Sequence, residues 1–257
     1  MNFGFTEEQN LLRDQVERFM QDTCPMSKVR ELSSRGGFDE ALWKQIGELG
    51  WLGLLIPEAH GGLGLKWIDQ VVVLEAAATG LCPLPIASHA LASTAILTCA
   101  DDAQKSRWLP AMASGEAVCT LGLYDDANWI DPAAITATAR DSDEGYVLGG
   151  TKPFVSDASN ADYLLLAVQA PNGLALAAVG KEEVAITPQP TMDSTKPMAS
   201  VDLEGVHISA NSLLPMTTDQ LSYLTDCGAL AVTAEMVGAG EAILDLTSDY
   251  AKQRIQF

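Results

Sequence analysis

The hydrophobic periodicity of this 257-residue chain changes twice along its length. Residues 1–116 carry apolar side chains at helical spacing, residues 117–217 form short β-rich segments separated by turns, and residues 218–257 return to helical spacing. Strands grouped between two groups of helices are incompatible with an alternating βαβ plan. The pattern therefore predicts an α+β protein with three domains: an all-α domain (1–116), an antiparallel β-barrel or sandwich (117–217) and the first helix or helices of an incomplete C-terminal α bundle (218–257).

The first region contains signatures of five helices. Thr6 and Gln9 have the spacing of a capping box, in which each side chain bonds to the other residue's backbone N–H. Asp39 is placed to cap a second helix that Gly50 ends. The remaining three helices are predicted at 67–79, 86–99 and 102–113.

The middle region contains seven predicted strands. Turns are clearest at 141–145 and 171–173, where Asp, Asn, Pro and Gly cluster. The strands are predicted at 118–123, 135–139, 146–151, 163–168, 174–179, 184–188 and 198–208.

Charge and composition exclude several classes of partner. The formal net charge of −19 disfavours binding to nucleic acid or to anionic membrane surfaces. We expect no membrane span, because no uninterrupted apolar run reaches about 18 residues. The start lacks a basic segment followed by an apolar run, so a cytoplasmic protein is predicted. The five cysteines form no CxxC pair and are expected to be reduced and mostly buried.

Isolated motifs in the chain do not establish a function. Gly238-Ala239-Gly240 resembles the start of a dinucleotide-binding loop, but no strand precedes it, which favours close packing of helices. The three histidines lack metal-ligand spacing, and we predict no metal site. Taken alone, these patterns establish only an acidic protein with helices, then a β module, then helices.

Five segments, in order, resemble the acyl-CoA dehydrogenase family. They are FTEEQ (5–9), the Gly-rich stretch GWLG…PEAHGGLG (50–64), GGTKPFVSDA (149–158), the strand region 201–215 and YAKQRIQF (250–257). The family forms of the second, third and fifth segments are G-x-x-G-x-x-x-P-E-x-x-G-G-x-G, N-G-x-K-x-W-I-T-N-A and Y-x-x-x-R-x-x-F. The region 189–214 is most similar to small subunits of pimeloyl-CoA-type and steroid-degrading members.

The resemblance implies a fold, a cofactor and partners. Family members have an α domain, a β domain and a C-terminal four-helix domain that extends well beyond residue 257, so the chain resembles a C-terminally truncated member. FAD binds between the β domain and the C-terminal bundle, with help from a neighbouring subunit. An acyl-CoA substrate, an electron-transfer partner and a homo- or hetero-dimer or tetramer are the implied partners.

The resemblance also assigns cofactor-binding residues. Ser156 stands where a Thr hydroxyl bonds the flavin ring, and Phe154 stands at the Trp that packs against that ring. Arg254 matches the Arg that grips the FAD pyrophosphate of a partner subunit, a role suited to a guanidinium. Phe257 matches the aromatic residue near the adenine.

By the same resemblance, Leu121, Leu123 and Tyr124 fall on the strand that lies along the isoalloxazine ring in family members. Here Tyr124-Asp125-Asp126 replaces the family's Thr-Glu-Pro, and the Gly-Ser-Asp that normally follows is absent. This segment is where the chain departs furthest from the family pattern.

The catalytic base is unknown. The family reaction removes the α proton with a Glu and passes the β hydride to flavin. That Glu lies in the C-terminal domain or, in one subgroup, on its first helix at the position of Gly228, which has no side chain. We interpreted Asp226 and Glu235 as surface or interface carboxylates.

Three functions remain open from the sequence. The first is an FAD-dependent acyl-CoA dehydrogenase, which desaturates an acyl thioester. The second is a non-catalytic partner subunit that keeps the fold and part of the FAD site. The third is a flavin monooxygenase or nitroalkane oxidase of the same fold.

Overall fold

The computed structural model describes residues 4–125 and 134–255. Seven α-helices lie in these ranges, six before the strands and one after them. They are α1 (Glu7–Thr23), α2 (Met26–Ser33), α3 (Glu40–Glu48), α4 (Trp67–Thr79), α5 (Ile86–Cys99), α6 (Asp102–Ser114) and α7 (Thr218–Gln253).

The predicted caps are present in the structure. The Thr6 hydroxyl accepts from the Gln9 backbone N–H, and the Gln9 side chain accepts from the Thr6 backbone, as the capping box requires. Asp39 accepts from the Leu42 backbone N–H at 3.0 Å. Sequence analysis missed α2, because this helix is only eight residues long and has no side-chain N-cap. Without a cap or a long periodic face, so short a helix has little local signal.

Ten strands form two sheets in the described chain. The larger sheet has the order β10-β6-β5-β2-β3-β9, with β1 also paired to β5, and the smaller has the order β4-β8-β7. The strands are β1 (Cys119–Gly122), β2 (Thr138–Ser142), β3 (Gly145–Gly149), β4 (Thr151–Ser156), β5 (Tyr163–Ala170), β6 (Gly173–Gly180), β7 (Ala185–Gln189), β8 (Met198–Asp202), β9 (His207–Ile208) and β10 (Leu213–Pro215).

The predicted α+β class is confirmed, with differences in detail. Most strand pairs are antiparallel, but β1 and β2 each pair with β5 in parallel. The strand predicted at 146–151 is interrupted at Gly150, whose φ of +99° is incompatible with a regular strand. Strand β3 therefore ends at Gly149, and β4 begins at Thr151. The strand predicted at 198–208 is similarly split into β8 and β9.

Helix α7 is one continuous helix of 36 residues. Its first half packs on α4 and α5, where Gly238 lies so close to α4 that a Cβ would fall 1.9 Å from the Glu75 carbonyl oxygen. The Gln220 side chain also donates to the Thr98 carbonyl of α5 at 2.7 Å. The interpretation of 238–240 as a helix-packing motif is therefore confirmed at Gly238.

The second half of α7 exposes apolar side chains. Ile243, Leu244 and Leu246 are each more than 60% exposed. By length and composition alone α7 could also cross a bilayer, a property that core helices of water-soluble proteins share. The expected absence of a membrane span therefore stays a prediction.

Candidate functional site

A cleft of about 380 Å³ lies between α4 and α5 on one side, the ends of β1 and β4 at its base and α7 on the other side. We call it the α7 cleft. Its walls are mostly apolar, with small side chains such as Ala77, Ala78, Ala87 and Ala231. The volume is in the range of small-molecule binding sites. An apolar cleft of this size fits an acyl group better than it fits a strongly polar ligand.

Two of the predicted cofactor-binding residues lie in this cleft. Leu121 on β1 and Ser156 at the end of β4 both line it. The Ser156 carbonyl accepts from the Thr120 hydroxyl, which holds the two strands together at this point. Within 4–125 and 134–255 no residue bonds the Ser156 hydroxyl, so this donor is available to a ligand in the cleft.

Phe154 stands two residues before Ser156 on β4. It is 58% exposed and has a φ of +58°, which is unusual for a bulky residue. Its backbone N–H donates to the Gln189 side chain at 2.9 Å, which helps to hold this conformation. Phe154 is not among the residues that line the cleft, but its exposed aromatic ring is a surface on which a planar ligand could stack.

Asp157 follows Ser156 and supplies a carboxyl group to the same cleft. It is only 7% exposed, and its Oδ2 accepts from the Ser88 hydroxyl of α5 at 2.7 Å. Burial raises the pKa of Asp157 to about 6, although the Ser88 hydrogen bond opposes this shift. Sequence analysis missed Asp157, although it stands where the family motif carries Asn, and that difference was a usable signal.

Lys196 and Glu235 form an ion pair across the cleft, between the loop before β8 and α7. Burial acts to lower the pKa of Lys196, but Glu235 and Asp157 outweigh it, so the pKa is raised. Lys196 is therefore protonated at neutral pH. Glu235, interpreted from the sequence as a surface or interface carboxylate, instead lines the cleft; Asp226 is exposed, as expected.

Gly228 lines the α7 side of the cleft. A Cβ at this position would meet only Leu91 Cδ1, at 3.9 Å, so there is room for a side chain that the sequence does not supply. Asp157, Asp193 and Glu235 are the carboxylates lining the cleft within the described ranges. None of them is on the α7 turn that contains Gly228.

Leu123 and Tyr124 are not part of the cleft lining. Leu123 is buried in the core beneath α5 and α7. The Tyr124 hydroxyl lies 2.8 Å from the Thr225 hydroxyl on α7, one turn before Gly228. Tyr124 thus connects the end of β1 to α7, and a flavin contact of Leu123 or Tyr124 stays a prediction.

Asp125 organises the segment that departs from the family pattern. Its carboxylate pairs with Lys152, and both side chains are almost completely buried. The same carboxylate accepts from the Ala137 backbone N–H at 2.6 Å and also from the Thr136 backbone N–H. Asp125 therefore joins the end of β1 to the chain entering β2. Asp126 lies outside the described residues.

Arg254 lies at the far end of α7, away from the cleft. It is 26 residues beyond Gly228, which corresponds to about 39 Å along a helix. Arg254 donates to the Tyr250 hydroxyl at 2.8 Å. It cannot contact a ligand in the cleft of its own chain, so the predicted role requires the cleft of another subunit. Phe257 lies outside the described residues.

Histidines and cysteines have structural positions in the described chain. His89 is buried between the Met112 carbonyl and the Cys119 backbone N–H, and burial lowers its pKa to about 4. The five cysteines are free and four are buried, as expected. Within 4–125 and 134–255, no group of three or more potential ligands is placed to hold a metal ion.

The residues around the cleft fit a flavin ring. Ser156 offers a hydroxyl without a protein partner, and Phe154 offers an exposed ring on the same strand. These two residues would hold the ring system. The distance from the cleft to Arg254 leaves the pyrophosphate without this cation unless a second subunit supplies it.

Comparison with known proteins shows which family this chain is similar to. Residues 6–116 match the model of the acyl-CoA dehydrogenase N-terminal domain. A probable acyl-CoA dehydrogenase of Bacillus subtilis is 28% identical over 276 residues, which cover 100% of this chain and 72% of that protein.

Solved structures agree with the sequence comparison. The ChsE4–ChsE5 complex of Mycobacterium tuberculosis is similar with a TM-score of 0.90 and 28% identity, covering 100% of this chain and 70% of that chain. A Tcur3481–Tcur3483 steroid ACAD variant has a TM-score of 0.86 and 26% identity, covering 98% and 68%. The family resemblance and the fold are confirmed, and the dehydrogenases of this family use FAD.

Proposed function

We propose that the protein acts in the FAD-dependent α,β-desaturation of an acyl-CoA thioester, because residues 6–116 match the acyl-CoA dehydrogenase N-terminal domain and the described chain is similar in fold to a solved acyl-CoA dehydrogenase. The observation that carries the proposal is the unpartnered Ser156 hydroxyl beside a largely apolar cleft. The cleft accommodates the acyl group, and the edge formed by β1 and β4 faces the reacting carbons.

Each residue of the site has a distinct task in this proposal. Bound FAD supplies the acceptor for the hydride of the β carbon. The Ser156 hydroxyl donates a hydrogen bond to the ring and fixes its position, while Phe154 packs on the ring and shields it from water. The apolar walls of α4, α5 and α7 exclude water from the acyl chain.

The α proton needs a base that this chain does not place on α7. Gly228 occupies the base position of one subgroup, and Glu235 is held by Lys196. We therefore assign the base to a residue outside the described chain. Chemically, the thioester loses a proton from its α carbon and a hydride from its β carbon, and one C=C bond forms.

A second candidate function is a non-catalytic subunit of a heteromeric dehydrogenase. The Tyr124-Asp125-Asp126 segment and Phe154 in place of the family's Trp favour it, because both depart from the family pattern. The similar ChsE4–ChsE5 structure is itself a complex of two proteins. In either case Arg254 serves a partner subunit's flavin, and an electron-transfer protein reoxidises that flavin.

The walls of the cleft favour a bulky acyl group. Small side chains on α4, α5 and α7 widen it, and one structural relative is a steroid ACAD. We propose a branched or ring-containing acyl-CoA as substrate. The reduced cysteines are consistent with a reducing compartment such as the cytoplasm.

The test uses the full-length protein, expressed alone and together with acyl-CoA dehydrogenase chains from the same organism as candidate partners. We expect a yellow protein whose flavin absorbance bleaches when an acyl-CoA is added under anaerobic conditions. Bleaching only in the co-expressed complex would favour the subunit role. A complex that carries no flavin, or whose flavin no acyl-CoA reduces, would contradict both candidate functions.

A further inference from the structure

Asp157 presents one unsatisfied oxygen to the α7 cleft. The side chain is 93% buried by the exposure given above, and Oδ2 is occupied by the Ser88 hydroxyl. Within 4–125 and 134–255, Oδ1 has no hydrogen-bond partner, and it is not sealed from the cleft. Because Oδ1 is the accessible oxygen of an otherwise buried side chain, it can accept a hydrogen bond from a group that enters the cleft.

The neighbouring groups do not meet this requirement. Lys196 is the cation of the described cleft lining, and its ammonium is paired with Glu235. Asp193 accepts from the Thr195 backbone N–H and hydroxyl, at 2.8 and 2.7 Å, so Thr195 is also occupied. The proposed function assigns the remaining donor, the Ser156 hydroxyl, to the flavin ring, so Asp157 Oδ1 is left to accept from a substrate group that enters the cleft and displaces water.

The charge of the cleft restricts which donor this can be. Its described lining carries three carboxyl groups, Asp157, Asp193 and Glu235, against one ammonium, Lys196. An acyl group that ends in a carboxylate would add a further negative charge beside them, which is unfavourable in a site of low dielectric constant. A neutral hydroxyl both donates to Oδ1 and avoids this repulsion.

We infer that Asp157, oriented by Ser88, is a specificity-determining residue that accepts a hydrogen bond from a hydroxyl group on the acyl part of the substrate. This inference rests on the proposed function and narrows its substrate class to hydroxylated, bulky acyl-CoA thioesters. It also separates the two sub-families that the sequence resembles, because it disfavours a dicarboxylic acyl group such as pimeloyl.

The position of Asp157 makes the recognition specific. Its backbone has a φ of 56°, a left-handed conformation that Asp adopts more readily than most residues. The backbone N–H donates to the Pro197 carbonyl at 2.9 Å, which fixes the turn after β4. Asp157 is therefore rigidly placed directly after Ser156, so the acyl hydroxyl it binds lies near the flavin edge of the cleft.

The experiment compares substrate pairs on the FAD-loaded full-length protein in its natural complex. The probes are cyclohexanecarboxyl-CoA, its 3- and 4-hydroxy derivatives and pimeloyl-CoA. We expect at least one hydroxylated probe to have a higher kcat/KM than the unsubstituted ring, and pimeloyl-CoA to have the lowest.

Asp157→Asn keeps the shape and tolerates the left-handed backbone, but it cannot carry the negative charge. We expect the ratio of kcat/KM for the hydroxylated probe to kcat/KM for the unsubstituted ring to fall about tenfold, with the loss in KM for the hydroxylated probe. Asp157→Gly, which also tolerates this backbone, should abolish the preference. Asp143→Asn, in the exposed turn between β2 and β3, is the control and should keep it.

The outcomes separate the two proposals. If wild-type protein oxidises the unsubstituted ring but shows no preference that depends on Asp157, the hydroxyl inference is wrong and the proposed function stands. If Asp157→Asn lowers kcat equally for all probes, Asp157 acts in the chemistry and the inference is also wrong. If no probe reduces the flavin of the wild-type complex, the proposed function fails first.

Discussion

The two halves of helix α7 have the same kind of sequence but opposite environments. The first half, up to Gly238, packs on α4 and α5 and forms one wall of the cleft. The second half carries Ile243, Leu244 and Leu246 on the surface and ends at Arg254. Apolar periodicity alone does not distinguish a helix face that is covered within the chain from one that awaits another surface.

The difference between the halves has a local cause. Gly238 allows the backbones of α7 and α4 to come into direct contact, and beyond it no residue of α7 in the described range is buried. We therefore expect the first half to contribute to the stability of this chain and the second half to contact a partner subunit. The following predictions test that division.

The largest expected effect on stability is at Gly238, where α7 and α4 approach most closely. Gly238→Ala places a methyl group 1.9 Å from the Glu75 carbonyl oxygen, so α7 and α4 must separate. We expect a loss of about 3 kcal/mol in the free energy of unfolding, measured by urea denaturation. Gly240→Ala is the matched control: nothing lies within 4 Å of its Cβ, and we expect a gain of about 0.5–1 kcal/mol. Equal effects at both positions would contradict the packing argument.

A substitution at the exposed C-terminal end of α7 should weaken FAD binding without lowering the stability of the fold. Arg254→Ala should weaken FAD binding by about 1.5–3 kcal/mol, because a charge-assisted hydrogen bond to phosphate is lost. The measurement is fluorescence titration of the apoprotein complex with FAD.

Lys252→Ala is the control for Arg254, since it removes a neighbouring exposed cation that pairs only with nearby Asp249. We expect flavin affinity to stay the same in this variant. Unchanged affinity in Arg254→Ala would show that the distal half of α7 does not reach a partner's flavin.

Two buried groups should oppose each other in their pH dependence. The pKa of Asp157 is raised to about 6 in the folded protein, so the folded protein binds this proton more tightly than the unfolded chain does. The stability that this difference contributes is lost as the pH rises from about 4 to 6. The pKa of His89 is lowered to about 4, so its contribution is lost as pH falls through 6 to 4. In the wild-type protein these two contributions largely cancel.

Asp157→Asn removes one side of this balance. Between pH 4 and 6 its stability should rise more steeply with pH than that of the wild type, by a total on the order of 2 kcal/mol. Thermal or urea unfolding across this range measures the difference. Parallel curves for the two proteins would mean that the Asp157 carboxyl is not perturbed by burial.

The smallest expected effect is at Ser156. Ser156→Ala removes the unpartnered hydroxyl in the cleft and should weaken flavin binding by about 1 kcal/mol, with no loss of folding stability. Ser159→Ala, at the nearby surface, serves as the comparison and should bind flavin normally. A stability loss in Ser156→Ala without a change in flavin affinity would show that the hydroxyl has only a structural role.

Much of the helical architecture could be predicted because its signals are local. The capping box at Thr6 and the N-cap at Asp39 each depend on only a few neighbouring residues. The bounds of α4 and α5 were also predicted from short segments. The parallel pairing of β1 with β5 could not be predicted, because it joins segments more than 40 residues apart. Phe154 and Ser156 were identified through a motif, whereas Ser88 carries no signal of its own.

The sequence by itself determined the order of helices and strands and the family, since both depend on patterns within short segments. Only the tertiary structure decided which side chains share the cleft, because Ser88, Asp157, Lys196 and Glu235 come from four separate segments. The physical reason is that burial and charge pairing depend on contacts between distant parts of the chain. A carboxyl group such as Asp157 acquires its shifted pKa and its free oxygen only when those parts meet.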